Sequence, residues 1–175
     1  MFQLWMVLCL LLLIGIDQLI KMVVANSLYD HPISIINGVL EFRYSENTGA
    51  AWSLFSNKTL YLILFTSIVL VILLCVLFSG KIQKKLPVIS LLLIISGGIG
   101  NLIDRIFRGY VIDFIYFKII EYPIFNIADS FVCVGAVLLL IYVIFFYKEP
   151  KKKQVEMHGE ETMEGSPRDD GGTAG

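Results

Sequence analysis

Hydrophobic residues occur in four long runs that are separated by segments of mixed polarity. The runs cover residues 4–24, 60–78, 86–103 and 128–146. Each is near the roughly 17 to 25 residues that an α-helix needs to cross about 30 Å of hydrocarbon. The pattern therefore predicts a mainly α membrane protein with four transmembrane helices at these positions.

The amino-acid composition is also that of a membrane protein. Of 175 residues, 57% are hydrophobic and 17% are charged, and the mean hydropathy is +0.77. These values lie outside the usual range of soluble globular domains. The charged residues occur in separate clusters, and the net charge of −1 gives no sign of a nucleic-acid partner.

The cysteine and histidine positions do not predict a disulfide framework or a metal site. Cys9, Cys75 and Cys133 each lie alone in an apolar run, and the two histidines are His31 and His158. Neither the spacing of a zinc site nor that of paired cysteines is present. We expect no metal and no organic cofactor.

Basic residues predict the orientation in the membrane. Lysines are dense in the link between the second and third runs and just after the fourth run: Lys81, Lys84 and Lys85, then Lys148, Lys151, Lys152 and Lys153. By the positive-inside rule these ends face the cytoplasm. Four crossings then place both termini in the cytoplasm and residues 25–59 and 104–127 outside. These outer segments also contain some basic residues. The orientation is therefore assigned from the lower density of basic residues in the outer segments.

The first run has a second interpretation, as a cleaved signal peptide with Val23 and Ala25 at the cleavage site. Three features favour a retained helix. The run lacks a basic start, it is long enough to span the bilayer, and it contains Asp17 and Lys21.

The remaining segments predict a small surface structure and a tail. Residues 33–44 alternate and are rich in β-branched side chains, with Asn37-Gly38 as a turn signal, which predicts a hairpin or cradle at the membrane surface. Residues 149–175 are basic and then acidic, with glycine, serine and proline, which predicts a disordered cytoplasmic tail. The membrane domain is then residues 1–148.

Five polar residues of the predicted helices need an explanation, because ionisable groups at membrane depth are costly. They are Asp17, Asn101, Asp104, Arg105 and Asp129. Asp17 is expected about 10 Å below the outer end of the first helix, at 1.5 Å per residue, and the others lie at outer helix ends. Because polar residues tolerated at random would occupy both leaflets, their convergence predicts a functional layer in the outer leaflet.

Each of these residues also has a simpler structural role available. Asp17 and Lys21 are four apart and predict an intrahelical ion pair. Asn126 could cap the fourth helix with Asp129 in its first turn. Asn101 and Arg105, by contrast, carry groups that can hold a peptide carbonyl or a lipid ester oxygen.

Two carboxylates at one depth favour a catalytic role over these structural roles. Asp113 belongs to the outer segment beside Asp129, and no cysteine, histidine or metal set offers other chemistry. A pair of acids of this kind can share one proton and activate water.

The motifs around these residues resemble bacterial lipoprotein signal peptidase, the signal peptidase II family of aspartic peptidases, up to about Lys148. The matching pieces are Asp17-Gln-Leu-Ile-Lys21, Asn47-Thr-Gly-Ala-Ala-Trp-Ser53, Gly97-Gly-Ile-Gly-Asn-Leu-Ile-Asp-Arg105, Val111-Ile-Asp-Phe114 and Phe125-Asn-Ile-Ala-Asp129. Trp52 stands where many members have phenylalanine.

The resemblance implies a role for each matched position. Asp113 and Asp129 would form the catalytic pair. Substrate-binding roles fall to Asn47, Gly49, Asn101, Arg105 and Asn126, and structural roles to Asp17, Lys21 and Asp104. A four-helix fold with an outer β-cradle and a short outer amphipathic helix is also implied.

The resemblance further implies the reaction and its place. The substrate would be a prolipoprotein whose cysteine already carries diacylglycerol, and the bond cut would be the one just before that cysteine. The enzyme would be a monomer in the bacterial cytoplasmic (inner) membrane, in contact with membrane lipid.

Two other functions are open on the sequence. Intramembrane acids also occur in small four-helix transporters, although these place an acid near the midplane. Ser53 and Lys58 could form a Ser/Lys peptidase site, but nothing in the pattern presents that lysine in a dry pocket.

Overall fold

A computed structural model of the chain describes residues 1–29, 31–49 and 59–146. Its four long helices are α1 (Phe2–Ser27), α2 (Thr59–Phe78), α3 (Lys85–Phe107) and α4 (Ile127–Ile141), and α4 continues as a π-helical turn, Tyr142–Phe146. Each is long and apolar enough to cross a membrane, with hydropathy between 2.1 and 3.1 over its most apolar stretch. The four predicted transmembrane helices are confirmed, and the chain is a multi-pass membrane protein.

Two helices run further than their apolar stretches. α1 ends three residues beyond the predicted residue 24, and α3 ends four residues beyond residue 103. Asp17 therefore lies ten residues before the end of α1, which is about 15 Å along the axis. The predicted depth of about 10 Å was wrong, because the polar residues that follow the apolar run remain helical.

A small antiparallel sheet covers one end of the helical bundle, which we call the sheet end. Its strands are β1 (Ile33–Ile36), β2 (Leu40–Asn47) and β3 (Val111–Phe117), in the order β1-β2-β3. The turn between β1 and β2 uses Gly38 with φ of 74°, a conformation that glycine adopts without steric cost. This confirms the predicted hairpin.

β3 comes from the segment between α3 and α4, so the sheet joins two distant parts of the chain. It pairs with β2 from Leu40↔Phe117 to Asn47↔Val111. Outside the four long helices, the helical structure found among residues 1–29, 31–49 and 59–146 is the 3₁₀ helix Lys118–Ile120. The short amphipathic helix that the resemblance implied is not seen in those ranges.

α3 is the central helix of the bundle. It packs against α1, α2 and α4, and its buried side chains Leu91, Leu92 and Ile95 form a core with residues of α1 and α2. Large apolar side chains on the outward faces of the helices are exposed, as expected for surfaces that face lipid. A second cluster, Val24, Leu28, Ile112 and Phe114, fixes the sheet on the end of α1.

The predicted tail, residues 149–175, lies outside the described residues.

Candidate active site

Asp113 lies near the start of β3 and is 2% exposed. Its Oδ1 accepts a hydrogen bond from Asn126 Nδ2 at 2.6 Å, and its Oδ2 accepts one from Asn47 Nδ2 at 2.8 Å. Asn47 Oδ1 in turn accepts from the Gly49 backbone N–H at 2.9 Å. Both carboxylate oxygens of Asp113 are therefore held by amides whose orientation the neighbouring groups determine.

Asp129 lies in the first turn of α4 and forms a capping box with Asn126. Its Oδ1 accepts from Asn101 Nδ2 at 2.7 Å, and its Oδ2 accepts from the Asn126 backbone N–H at 3.2 Å. The Asp129 backbone N–H donates to Asn126 Oδ1 at 2.9 Å. The predicted cap and first-turn position are confirmed.

Asn126 connects the two carboxylates directly. Besides its contacts with Asp113 and Asp129, its Nδ2 donates to Asn101 Oδ1 at 3.1 Å, and the residue is fully buried. Both amide hydrogens and the amide oxygen are thus used within the protein. This arrangement orients both carboxylates, and the substrate-binding role that the resemblance implies for Asn126 stays a prediction.

The surroundings of Asp113 favour a shared proton. Burial, followed by the negative charge of Asp129, raises the pKa of Asp113 to about 7, although the hydrogen bonds from Asn47 and Asn126 act in the opposite direction. Two neighbouring carboxylates in a dry site cannot both ionise at low cost. Asp113 therefore keeps its proton to a much higher pH than an ordinary aspartate, up to about pH 7.

Arg105 connects the end of α3 to the segment after β2. Its Nη2 donates to the Gly49 carbonyl at 2.8 Å, and its Nη1 donates to the Asn101 carbonyl at 3.3 Å. Its Nε is buried and has no hydrogen-bond partner among residues 1–29, 31–49 and 59–146. Arg105 thus holds Gly49 near the carboxylates, and its Nε–H is left without a partner within these ranges.

A buried charged cluster supports the site from the bundle side. Lys21 is bonded to Asp17 at 3.0 Å, which confirms the predicted ion pair, and also to Asp104 at 2.9 Å. Asp17 Oδ1 accepts from the Ala128 backbone N–H at 3.1 Å. A Cβ atom on Gly100 would lie 2.5 Å from Asp17 Oδ2, so this position requires glycine.

Two members of this cluster were missed by the sequence reasoning. Arg108 pairs with Asp104, and Gln18 Nε2 donates to the Gly100 carbonyl at 3.1 Å. The four-residue spacing of Asp104 and Arg108 is a signal for an ion pair on one helical face. Gln18 has no comparable signal, because its partners Gly100 and Asp104 come from a different helix.

Part of the predicted site is outside the described ranges. Residues 50–53 of the Asn47 motif, including Trp52 and Ser53, fall there, as does Lys58. In the part of the chain that the structure describes, no group of three or more histidine, cysteine, aspartate or glutamate residues could hold a metal ion.

Comparisons with known proteins identify relatives. Residues 9–145 match the family model described as signal peptidase (SPase) II. The chain is 45% identical over 141 residues to a lipoprotein signal peptidase of Clostridioides difficile (strain 630), covering 80% of this chain and 95% of that protein. It is 47% identical over 115 residues to a lipoprotein signal peptidase of Clostridium tetani (strain Massachusetts / E88), covering 64% and 74%.

Solved structures share the fold. A bacterial membrane enzyme determined by the in meso method at 2.3 Å resolution superposes with a TM-score of 0.74 and 30% identity, covering 85% of this chain and 94% of the other. A second, at 1.9 Å resolution, gives a TM-score of 0.71 and 31% identity, covering 81% and 94%.

Proposed function

Because the chain belongs to the signal peptidase II family of aspartic peptidases, we propose that Asp113 and Asp129 are the catalytic pair with which it removes signal peptides from prolipoproteins. The membership covers nearly all of the membrane domain, residues 9–145. The transporter alternative finds no support in these relatives.

The observation that carries the proposal is the shared hydrogen-bond frame around two carboxylates. Asn126 Nδ2 bonds Asp113 at 2.6 Å, and the Asn126 backbone N–H bonds Asp129 at 3.2 Å. A single buried residue thus sets the position of both acids relative to each other. Such preorganisation is what a pair that activates one water molecule needs.

The reaction follows from one proton on two carboxylates. The ionised carboxylate accepts a proton from a water molecule as that water attacks the scissile carbonyl. The protonated carboxyl donates a hydrogen bond to the oxygen that becomes negative. The tetrahedral intermediate then breaks at the C–N bond, and the leaving amine takes up a proton from the pair. Because the titration belongs to both groups, the proton is assigned to the pair.

The substrate proposal is a prolipoprotein whose cysteine carries diacylglycerol, cut just before that cysteine. A lipid anchor holds the scissile bond near the membrane surface, and the candidate site lies at the end of the helices where the sheet packs. We assign two groups to the substrate backbone: Gly49, and the Nε of Arg105, which has no hydrogen-bond partner among the described residues. Asn47, Asn101 and Asn126 orient the carboxylates.

The proposed place is the cytoplasmic (inner) membrane of a bacterium, with both termini in the cytoplasm and the sheet end outside. Lys81 and Lys84 lie between α2 and α3, and Lys85 begins α3, all at the opposite end of the bundle from the sheet, which supports this orientation. We propose that the enzyme acts as a monomer in contact with membrane lipid.

The test of the pair is cleavage of a synthetic diacylglyceryl prolipoprotein peptide by purified protein. Asp113→Asn and Asp129→Asn are each expected to insert and fold but to lose cleavage by about 10⁴-fold, because an amide cannot exchange the catalytic proton. Glu41→Gln, the same chemical change on β2, should keep wild-type rates. Wild-type cleavage by either aspartate variant would show that the pair is wrongly assigned.

A second test concerns the Arg105 donor. Arg105→Lys keeps the positive charge but has no Nε, so we expect KM to rise by about tenfold, the equivalent of one lost hydrogen bond to a charged group. The variant should still fold, since the ammonium group can reach a carbonyl. An unchanged KM for Arg105→Lys in detergent would rule out the Nε contact.

A further inference from the structure

The ammonium group of Lys21 is fully buried and makes three contacts. Two are ion pairs, with Asp17 Oδ2 at 3.0 Å and Asp104 Oδ2 at 2.9 Å. The third is a hydrogen bond to Asn101 Oδ1 at 2.9 Å. An ammonium has three N–H donors, so all of them are used. The two carboxylates already compensate the positive charge of the ammonium, so the contact with Asn101 is not needed for charge pairing and has a different consequence.

That consequence lies in the orientation of the Asn101 amide. Asn101 Oδ1 accepts from Lys21 and from Asn126 Nδ2 at 3.1 Å, and Asn101 Nδ2 donates to Asp129 Oδ1 at 2.7 Å. If the amide turned over, its NH₂ would face two donors and its oxygen would face a carboxylate. Lysine can only donate, so it permits one orientation alone.

We propose that Lys21 is a positioning residue for the peptidase reaction: its buried ammonium holds the Asn101 amide so that Nδ2 points at Asp129. The inference rests on the proposed catalytic pair. It connects α1, through α3, to the catalytic carboxylate of α4, and it gives Lys21 a role beyond its ion pair with Asp17.

The charged groups around this path come from four elements. They are Asp17 and Lys21 on α1, Asp104 and Arg105 on α3 with Arg108 at its C-terminal cap, Asp113 on β3 and Asp129 on α4. Asp17 and Asp104 balance Lys21 and Arg108. Replacing Lys21 alone would therefore leave an uncompensated buried carboxylate, whereas replacing Lys21 and Asp17 together by neutral residues keeps the cluster neutral.

A double-mutant cycle separates positioning from charge pairing. Lys21→Met alone should lower both the folded yield and the activity. Asp17→Asn combined with Lys21→Met should restore the folded yield and the Tm, because the cluster is neutral again and the new amide oxygen at position 17 still faces the Ala128 N–H. The rate should remain low: we expect kcat to stay about tenfold below wild type, with KM within about twofold because Lys21 does not reach the substrate.

A return of kcat to the wild-type value in the double variant would overturn the proposal and leave Lys21 as an ion-pair partner only.

The wild-type protein provides a test that does not depend on a folded variant. With ¹⁵N-asparagine labelling in micelles, the Asn101 side-chain NH₂ signal, assigned by its loss in Asn101→Asp, should be protected from exchange and should shift with the titration of the pair. A rapidly exchanging signal that ignores this titration would overturn the proposal. Asp113→Asn, measured beside these proteins, separates failure of the Lys21 proposal from failure of the proposed catalytic pair. If Asp113→Asn stays active, the catalytic pair itself is wrong.

Discussion

Three asparagine side chains hold the two acids of the candidate site. Asn47 and Asn126 bond Asp113, and Asn101 bonds Asp129. An asparagine amide can donate and accept in fixed directions without adding charge, so it places a carboxylate without forming an ion pair that would fix its protonation. Neutral partners therefore suit a pair of acids that is proposed to share one proton.

Asn126→Ala should therefore damage both stability and catalysis. It removes the N-cap of α4, worth about 0.5 to 2 kcal/mol, and leaves Asp113 Oδ1 and the Asp129 N–H without their partners. We expect a clear fall in Tm and loss of most prolipoprotein cleavage. Asn26→Ala, at an exposed position near the end of α1, is the control and should match wild type. Retained cleavage in Asn126→Ala would contradict the positioning role.

The pH dependence follows from the raised pKa of Asp113. Asp113 keeps its proton until the pH approaches about 7, and in the proposed mechanism the singly protonated pair is the active form. The value of kcat/KM should consequently fall as the pH rises through this region, because the second carboxyl ionises. Rates across a pH series on a lipidated peptide give the profile. A rate that stays constant to pH 9, two units beyond about 7, would exclude this proton as the catalytic acid.

Glycine contacts set the distance between α3 and α4. A Cβ atom on Gly135 would lie 2.7 Å from the Ser90 carbonyl, and one on Gly97 would overlap the Ala128 carbonyl. Side chains larger than hydrogen would therefore push the helices apart. Since α3 carries Asn101 and α4 carries Asp129, this spacing also determines their 2.7 Å hydrogen bond.

Gly97→Ala is expected to reduce Tm and cleavage together, because the added methyl group displaces the start of α4 from α3. Overpacking of this kind costs about 1 to 3 kcal/mol. Gly15→Ala on α1 is the matched control, since no atom lies within 4 Å of its added Cβ, and it should be neutral or slightly stabilising. Thermal unfolding and peptide cleavage in the same detergent measure both effects. Equal behaviour of the two variants would show that the α3–α4 contact is not tight.

Acidic residues and the lysines of the α2–α3 link lie at opposite ends of the molecule. Among residues 1–29, 31–49 and 59–146, the acidic residues all lie on the sheet, in the segment after it or in the network beneath it: Asp17, Glu41, Glu46, Asp104, Asp113, Glu121 and Asp129. At the opposite end the charged side chains in these ranges are Lys81, Lys84 and Lys85. This asymmetry is the basis of the proposed orientation.

Cysteine labelling tests that orientation. In a background with Cys9, Cys75 and Cys133 replaced by serine, Ser34→Cys on exposed β1 should react with a membrane-impermeant maleimide on intact spheroplasts. Ser79→Cys, exposed after α2, should react only after the membrane is opened. The reverse pattern would invert the topology and move the candidate site to the cytoplasmic side.

Features that depend on local spacing were established from the sequence. Run length predicted the four helices, Asn37-Gly38 predicted the hairpin, and positions 17 and 21 predicted the ion pair. The motifs also brought the two aspartates and their asparagines into one proposed site. Helix ends were less accurate, because apolar runs mark the hydrocarbon core and not the length of the helix.

Chain packing decided the features that join distant segments. Lys21 meets Asn101 across 80 positions, Asn47 meets Asp113 across 66, and Asp17 meets the Ala128 backbone across 111. An amide in a sequence carries no information on which partner its oxygen will face, since that depends on where other elements place their donors. The donor and acceptor directions around the two carboxylates were therefore available from the fold alone.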